Sequence, residues 1–110
     1  MYPDNDNGDV FRRLEEANFD FSQEYAVDFY AVYATEEEAD IVARQFASDW
    51  NAGQKFKNIE TRPVEEGGIE LELVPVMKVT YENVAAFEKK LADRTSKVTG
   101  YLDGWGVLHG

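Results

Sequence analysis

Cysteine is missing from this 110-residue sequence, and histidine occurs once, at His109. The first absence excludes disulfides, thiolate nucleophiles and Cys-based zinc or iron–sulfur sites. The second leaves a catalytic triad nothing to assemble around, because the sole imidazole lies where chain ends fray. Basic residues are scarce as well: Lys and Arg number 11 against 22 Asp and Glu, a formal charge of −11 with a pI near 4.4. Phosphate backbones are bound through Lys and Arg that displace counterions, so this balance argues against direct contact with nucleic acid or an anionic membrane and favours a basic partner. No apolar run approaches the ~20 residues of a membrane span, and Met1-Tyr2-Pro3-Asp4 lacks the basic and apolar regions of a signal peptide. These features predict a cytoplasmic protein, without metal or cofactor, that is held together by packing.

The material for packing is present. A hydrophobic fraction of 44% with 14% aromatics predicts a single domain over residues 1–110, able to bury roughly two thirds of its unfolded surface. Val10, Phe11, Leu14 and Ala17 recur at helical spacing and predict a short N-terminal helix ending near Asn18. Tyr25 to Tyr33 is the strongest strand signal. Tyr25, Val27, Phe29, Ala31 and Tyr33 share one face, and the other is apolar too except at Asp28; a strand apolar on both faces is central and covered twice.

Thr35-Glu36-Glu37-Glu38 has the form of a capping box, with the Glu38 carboxylate expected on the Thr35 N–H. It opens a helix whose buried stripe is Ala39, Val42, Ala43, Phe46 and Trp50, stopped by Asn51-Ala52-Gly53. Lys55 to Val64 reads as a weaker strand with Phe56 and Ile59 out of step, which predicts an edge position or a bulge. Glu65-Glu66-Gly67-Gly68 is a turn signal, and the alternating Ile69, Leu71 and Leu73 complete a hairpin. Glu70 and Glu72 share its other face, expected to be exposed. Pro75 cannot donate a ladder hydrogen bond, so a bulge or bend is expected there. Thr80, Val84, Phe87 and Leu91 predict a last helix to about Lys97, and Gly100 begins a final strand carrying Asp103-Gly104-Trp105-Gly106.

After the N-terminal helix the order is β-α-β-β-α-β, which predicts an α+β, ferredoxin-like sandwich with a four-stranded antiparallel sheet, its first and third strands central. The two later helices cover one face. The N-terminal helix, through Val10, Phe11 and Leu14, is expected to cover part of the other, with a dimer partner as the alternative. The flanking glycines of Trp105 are expected to permit unusual φ values or close backbone approach, and Trp105 itself is expected to point inward. Asp4, Asp6 and Asp9 around Gly8 lack the closing Glu of a calcium loop. Gly104 and Gly106 do not lead a strand into a helix, as a phosphate cradle requires.

Asp9-Val10 with Leu14, Tyr25-Ala26-Val27-Asp28-Phe29, Thr35-Glu36-Glu37-Glu38-Ala39, Val79-Thr80-Tyr81-Glu82-Asn83-Val84 and Asp103-Gly104-Trp105-Gly106 together resemble the regulator of ribonuclease E activity B family, RraB. The final tetrapeptide is the most specific piece. The resemblance implies a non-enzymatic bacterial regulator that binds ribonuclease E or its scaffold region and lowers its cleavage of RNA, as a monomer or weak homodimer. Glu36, Glu37, Asp40 and Asp103 are the residues expected to form an acidic contact surface. Where the family has an aromatic directly before Asp-Gly-Trp-Gly, this chain has Leu102, with Tyr101 one position earlier; such a shift turns a side chain to the opposite sheet face. The acidic tail of some members is absent up to Gly110, which predicts different or weaker partner binding. The alternative function is a small-molecule-binding or ligand-sensing domain that uses an open sheet face.

Overall fold

A computed structural model describes residues 12, 13, 15, 16 and 22–108. The expected face of the N-terminal helix, Val10, Phe11 and Leu14, lies outside the described residues, and so does the covering role assigned to it. The described elements are β1 (Glu24–Tyr33), α1 (Glu36–Asn51), β2 (Phe56–Pro63), β3 (Ile69–Lys78), α2 (Tyr81–Thr95) and β4 (Gly100–Leu108). They form an α+β arrangement with one antiparallel four-stranded sheet in the order β2-β3-β1-β4. The first and third strands are central, as the element order predicts.

Alternation divides the sheet cleanly. Phe29 pairs with Leu73 on one side and Trp105 on the other, and Ala31 pairs with Leu71 and Leu102. These side chains therefore share the face on which the helices pack. From α1 come Ala39, Val42 and Phe46, and from α2 come Val84, Phe87, Leu91 and Thr95, each set spaced at three and four. Phe87 is the hub of this core: its ring centroid lies 4.5 Å from Phe29, 5.3 Å from Phe46 and 6.1 Å from Phe56. Tilted and edge-on aromatic pairs at such separations add about 0.5–1.5 kcal/mol each beyond area burial. Trp50 departs from the expected stripe. It leans on Phe56 at 5.7 Å but stays 41% exposed, because the last turn of α1 reaches only the edge strand, where one side of the ring faces solvent.

Both helix starts are capped by threonine. Thr80 accepts from the N–H of Asn83 at 3.1 Å, and Thr35 from that of Glu38 at 3.3 Å. The reciprocal half of the expected capping box does not form. The Glu38 carboxylate accepts from the backbone N–H of Thr99 at 2.6 Å and from the Thr99 hydroxyl at 2.7 Å. A carboxylate gains more from an N–H and a hydroxyl together than from one helix-end N–H, and these bonds tie the start of α1 to the entry of β4. They hold the Glu38 carboxyl below its usual range, the Thr99 N–H first among the causes.

β2 is an edge strand with a register shift between Phe56 and Asn58, as its pattern predicts. Pro75 is the counterpart of that bulge: β3 runs on through it, and the irregularity falls on β2. Along β1 and β3 the pairing is interrupted at Val27 and Asp28, between Ala26↔Val76 and Phe29↔Leu73. A residue without an N–H cannot sustain the ladder there. In the β2–β3 turn, Gly67 and Gly68 take φ of +101° and +94°, values that only glycine adopts at low cost.

Candidate interaction surface

The sheet face turned away from α1 and α2 carries the alternate residues of each strand. On β1 these are Ala26, Asp28, Tyr30 and Val32; on β3, Glu70, Glu72, Val74 and Val76; on β2, Asn58, Glu60 and Arg62. Register brings the charged ones together, since Tyr30 lies opposite Glu72, Glu72 opposite Glu60, and Glu70 opposite Arg62. The Arg62 guanidinium donates to Glu60 at 2.7 Å, to Glu70 at 3.1 Å and to Glu72. The hydrogen bond to Glu72, then that to Glu60, raises the arginine pKa. The expectation that Glu70 and Glu72 lie on an exposed face of the hairpin is corrected here: Arg62 bridges the two, and the Glu72 side chain is only 16% exposed.

Deeper in the same face, the Tyr30 hydroxyl is shared. It lies 3.1 Å from Asp28 Oδ2 and 3.2 Å from Glu72 Oε2, so one phenolic proton serves two carboxylates. Burial, followed by the Asp28 hydrogen bond and charge, pushes the Tyr30 pKa up to about 12. Asp28 is 7% exposed, and among the described residues its buried Oδ1 has no hydrogen-bond partner. Burial is the main cause that raises its carboxyl pKa, aided by Glu72 and opposed by the Tyr30 hydrogen bond and the charge of Lys57. A second acidic group, Asp49 on α1, is partnered instead. Burial pushes it up, but Arg94 at 2.9 Å and Lys90 at 3.6 Å more than offset this, and the net shift is downward.

The residues expected as contacts occupy two places. Glu36, Glu37 and Asp40 lie in the first turns of α1, where the helix dipole favours negative charge. Glu36 shares a cleft of about 140 Å³ with Thr61, Arg62, Pro63 and Ile69, which joins the helix start to the acidic sheet face. Asp103 is exposed on β4, in the register shift opposite Tyr30. Gly104 beside it takes φ of +107°, whereas Gly106 has an ordinary φ, and a Cβ at either would meet no described residue within 4 Å. Among the described residues no close backbone approach calls for these glycines; at Gly104 the positive φ does. Trp105 points to the helix side and stacks on Phe29 at 6.1 Å. Leu102 joins it there, and Tyr101, paired with Val32 on the other face, is 60% exposed.

Among the described residues, no group of three or more His, Cys, Asp and Glu is placed to hold a metal ion, and no helix is long and apolar enough to cross a membrane. Fold and surface together define an α+β protein that presents carboxylates across one sheet face. The chain belongs to the RraB family, regulator of ribonuclease activity B, whose match spans residues 4–107. A comparison with curated proteins gives no match.

Proposed function

We propose that the chain is one domain acting as a non-enzymatic regulator of RNA decay, which binds ribonuclease E through an acidic surface and lowers its cleavage of RNA. The observation that carries this reading is membership of a family of ribonuclease regulators over nearly the whole chain. The charge of −11 supports a basic partner segment, with complementary charge raising the rate of encounter. The contact surface runs from Glu36, Glu37 and Asp40, past the Arg62 cleft, onto the sheet face, with Asp103 at its far edge. The strand order supports placing the chain among ferredoxin-like sandwiches.

The test is cleavage of an RNA substrate by ribonuclease E with increasing amounts of this protein, alongside capture of the nuclease from native lysate. Slower cleavage with capture is expected. Unchanged cleavage at saturating protein overturns the reading. A groove of about 390 Å³ between Val32, Ala34, Gly68, Thr99 and Tyr101 has the size of a small-molecule site and favours, as a second reading, a ligand sensor. A thermal-shift screen of metabolites separates the two.

A further inference from the structure

One end of the sheet carries a groove of about 390 Å³, where β1 runs out, the β2–β3 turn closes and β4 begins. Of the residues that line it, Ala34, Gly67, Thr99, Gly100 and Tyr101 are exposed, Tyr101 to 60%. Its floor is kept bare by Tyr33. A Cβ at Gly68 would stand 2.8 Å from the Tyr33 carbonyl oxygen, and one at Gly100 would stand 2.5 Å from the Tyr33 ring, so neither position can carry a side chain while Tyr33 stays in place. Tyr101 is the aromatic wall. It pairs with Val32, whereas its neighbour Leu102 turns to the helix side and joins the core. The rim is acidic. The Glu38 carboxylate sits on Thr99, 2.6 Å from its N–H and 2.7 Å from its hydroxyl, and the exposed Glu65 and Glu66 lead into Gly67. The Thr99 N–H, first among the causes, holds the Glu38 carboxyl below its usual range, so its charge is kept at neutral pH.

We infer that this groove seats an arginine side chain of a basic protein partner, stacked on the Tyr101 ring with its guanidinium turned to the acidic rim. The inference rests on the reading that this protein works by binding another, and it gives that contact an anchor. A tyrosine ring attracts a cation over its face, and a planar guanidinium stacks there while shedding water more readily than an ammonium group. The methylene stem of arginine covers apolar surface such as Val32 and Ala34 while its head stays with the carboxylates. An anionic ligand would be repelled by the same rim and by the formal charge of −11. Exposed aromatics beside a pocket are the residues in which binding energy concentrates. The groove is also continuous with the acidic start of α1, since Glu38 shares the first turn of that helix with Glu36 and Glu37.

The test uses the full chain with two probes, a fluorescent hexa-arginine amide and the noncatalytic region of ribonuclease E, at low salt. Tyr101→Ala, Tyr101→Phe and Trp50→Ala are the variants, the last removing an exposed aromatic from the far end of α1. Tyr101→Ala is expected to weaken binding of both probes about fivefold or more while the melting temperature changes little, because the side chain it removes is exposed. Tyr101→Phe keeps the ring and is expected to bind within about twofold of the wild type, as is Trp50→Ala. In ¹⁵N-labelled wild type, the amide signals of Gly67, Gly68 and Gly100 are expected to move on titration with hexa-arginine. Stationary glycine signals, or a Tyr101→Phe protein as weak as Tyr101→Ala, overturn the seat. So do glycine signals that answer to a metabolite and not to hexa-arginine, and so does a dimer that Tyr101→Ala dissociates, since the occupant would then be a small ligand or a second copy. Ribonuclease E bound equally by wild type and Tyr101→Ala overturns the seat and leaves the proposed function standing. Hexa-arginine seated at Tyr101 without any effect on ribonuclease E would refute the proposed function and leave the seat standing.

Discussion

Truncating Trp105 to alanine removes the ring that stacks on Phe29 at 6.1 Å and closes the core over β4. A fully buried indole removes about 200 Å² from water, which at about 25 cal/mol per Å² corresponds to roughly 5 kcal/mol. Trp105 is partly buried on an edge strand, where neighbours can relax, so the expected loss is about 3 kcal/mol, near the low end for large aromatic truncations. For a chain of this size that lowers the melting temperature by roughly 10–15 °C. Urea denaturation followed by far-UV circular dichroism measures it, with Trp50→Ala as the internal control. Trp50 is 41% exposed and touches Phe56, so its truncation should cost only about 1 kcal/mol. An unchanged urea midpoint for Trp105→Ala, coupled with lost partner binding, would refute the inward packing role and make the tryptophan a contact residue.

Thr95→Val strands the Tyr33 hydroxyl, which meets Thr95 Oγ1 at 2.7 Å in the core; a loss of about 1–3 kcal/mol is expected, and adding Tyr33→Phe should recover part of it in a double-mutant cycle. Gly68→Ala sets a Cβ 2.8 Å from the Tyr33 carbonyl oxygen at a φ of +94°, and should destabilise more than Gly104→Ala, whose φ of +107° is strained but whose surroundings are open; urea midpoints rank the two. The native pKa of Asp28 is raised above 3.8, so the native state holds that proton more tightly than the unfolded chain. Its stabilising contribution is complete below pH 3.8 and is lost as pH rises through the native value. Asp28→Asn should accordingly match the wild type at low pH and exceed it at pH 7, as read by denaturation across that range. Tyr30, Glu72 and Lys57 shape the transition, and an Asp28→Asn protein less stable at pH 7 would contradict the assignment.

Local signals carried the fold. The alternation of Tyr25 to Tyr33, the caps at Thr35 and Thr80, and the glycines of the β2–β3 turn all act within a few residues, so spacing alone revealed them. The sheet-face cluster could not be read this way. Asp28 stood out as the one polar residue on its face, but its neighbours Glu72 and Arg62 come from other strands, and only register brings them together. The same limit applies to Glu38: a capping motif predicts a bond to the Thr35 N–H, whereas the carboxylate accepts from the Thr35 hydroxyl and from two donors of Thr99, 61 residues away. Trp50 shows the converse, since its helical phase is correct but the sheet ends beneath it. Asp103 and the acidic residues of α1 were visible as charges, and the Arg62 cleft that connects Glu36 to the sheet was not.

The most direct measurement is titration of the noncatalytic region of ribonuclease E with this protein at about 50 and 200 mM salt, followed by calorimetry or anisotropy. Contact between an acidic surface and a basic segment is screened as the Debye length contracts, and the expected result is binding at the lower salt that weakens at least tenfold at the higher. Absence of binding, or an affinity indifferent to salt, would contradict the account.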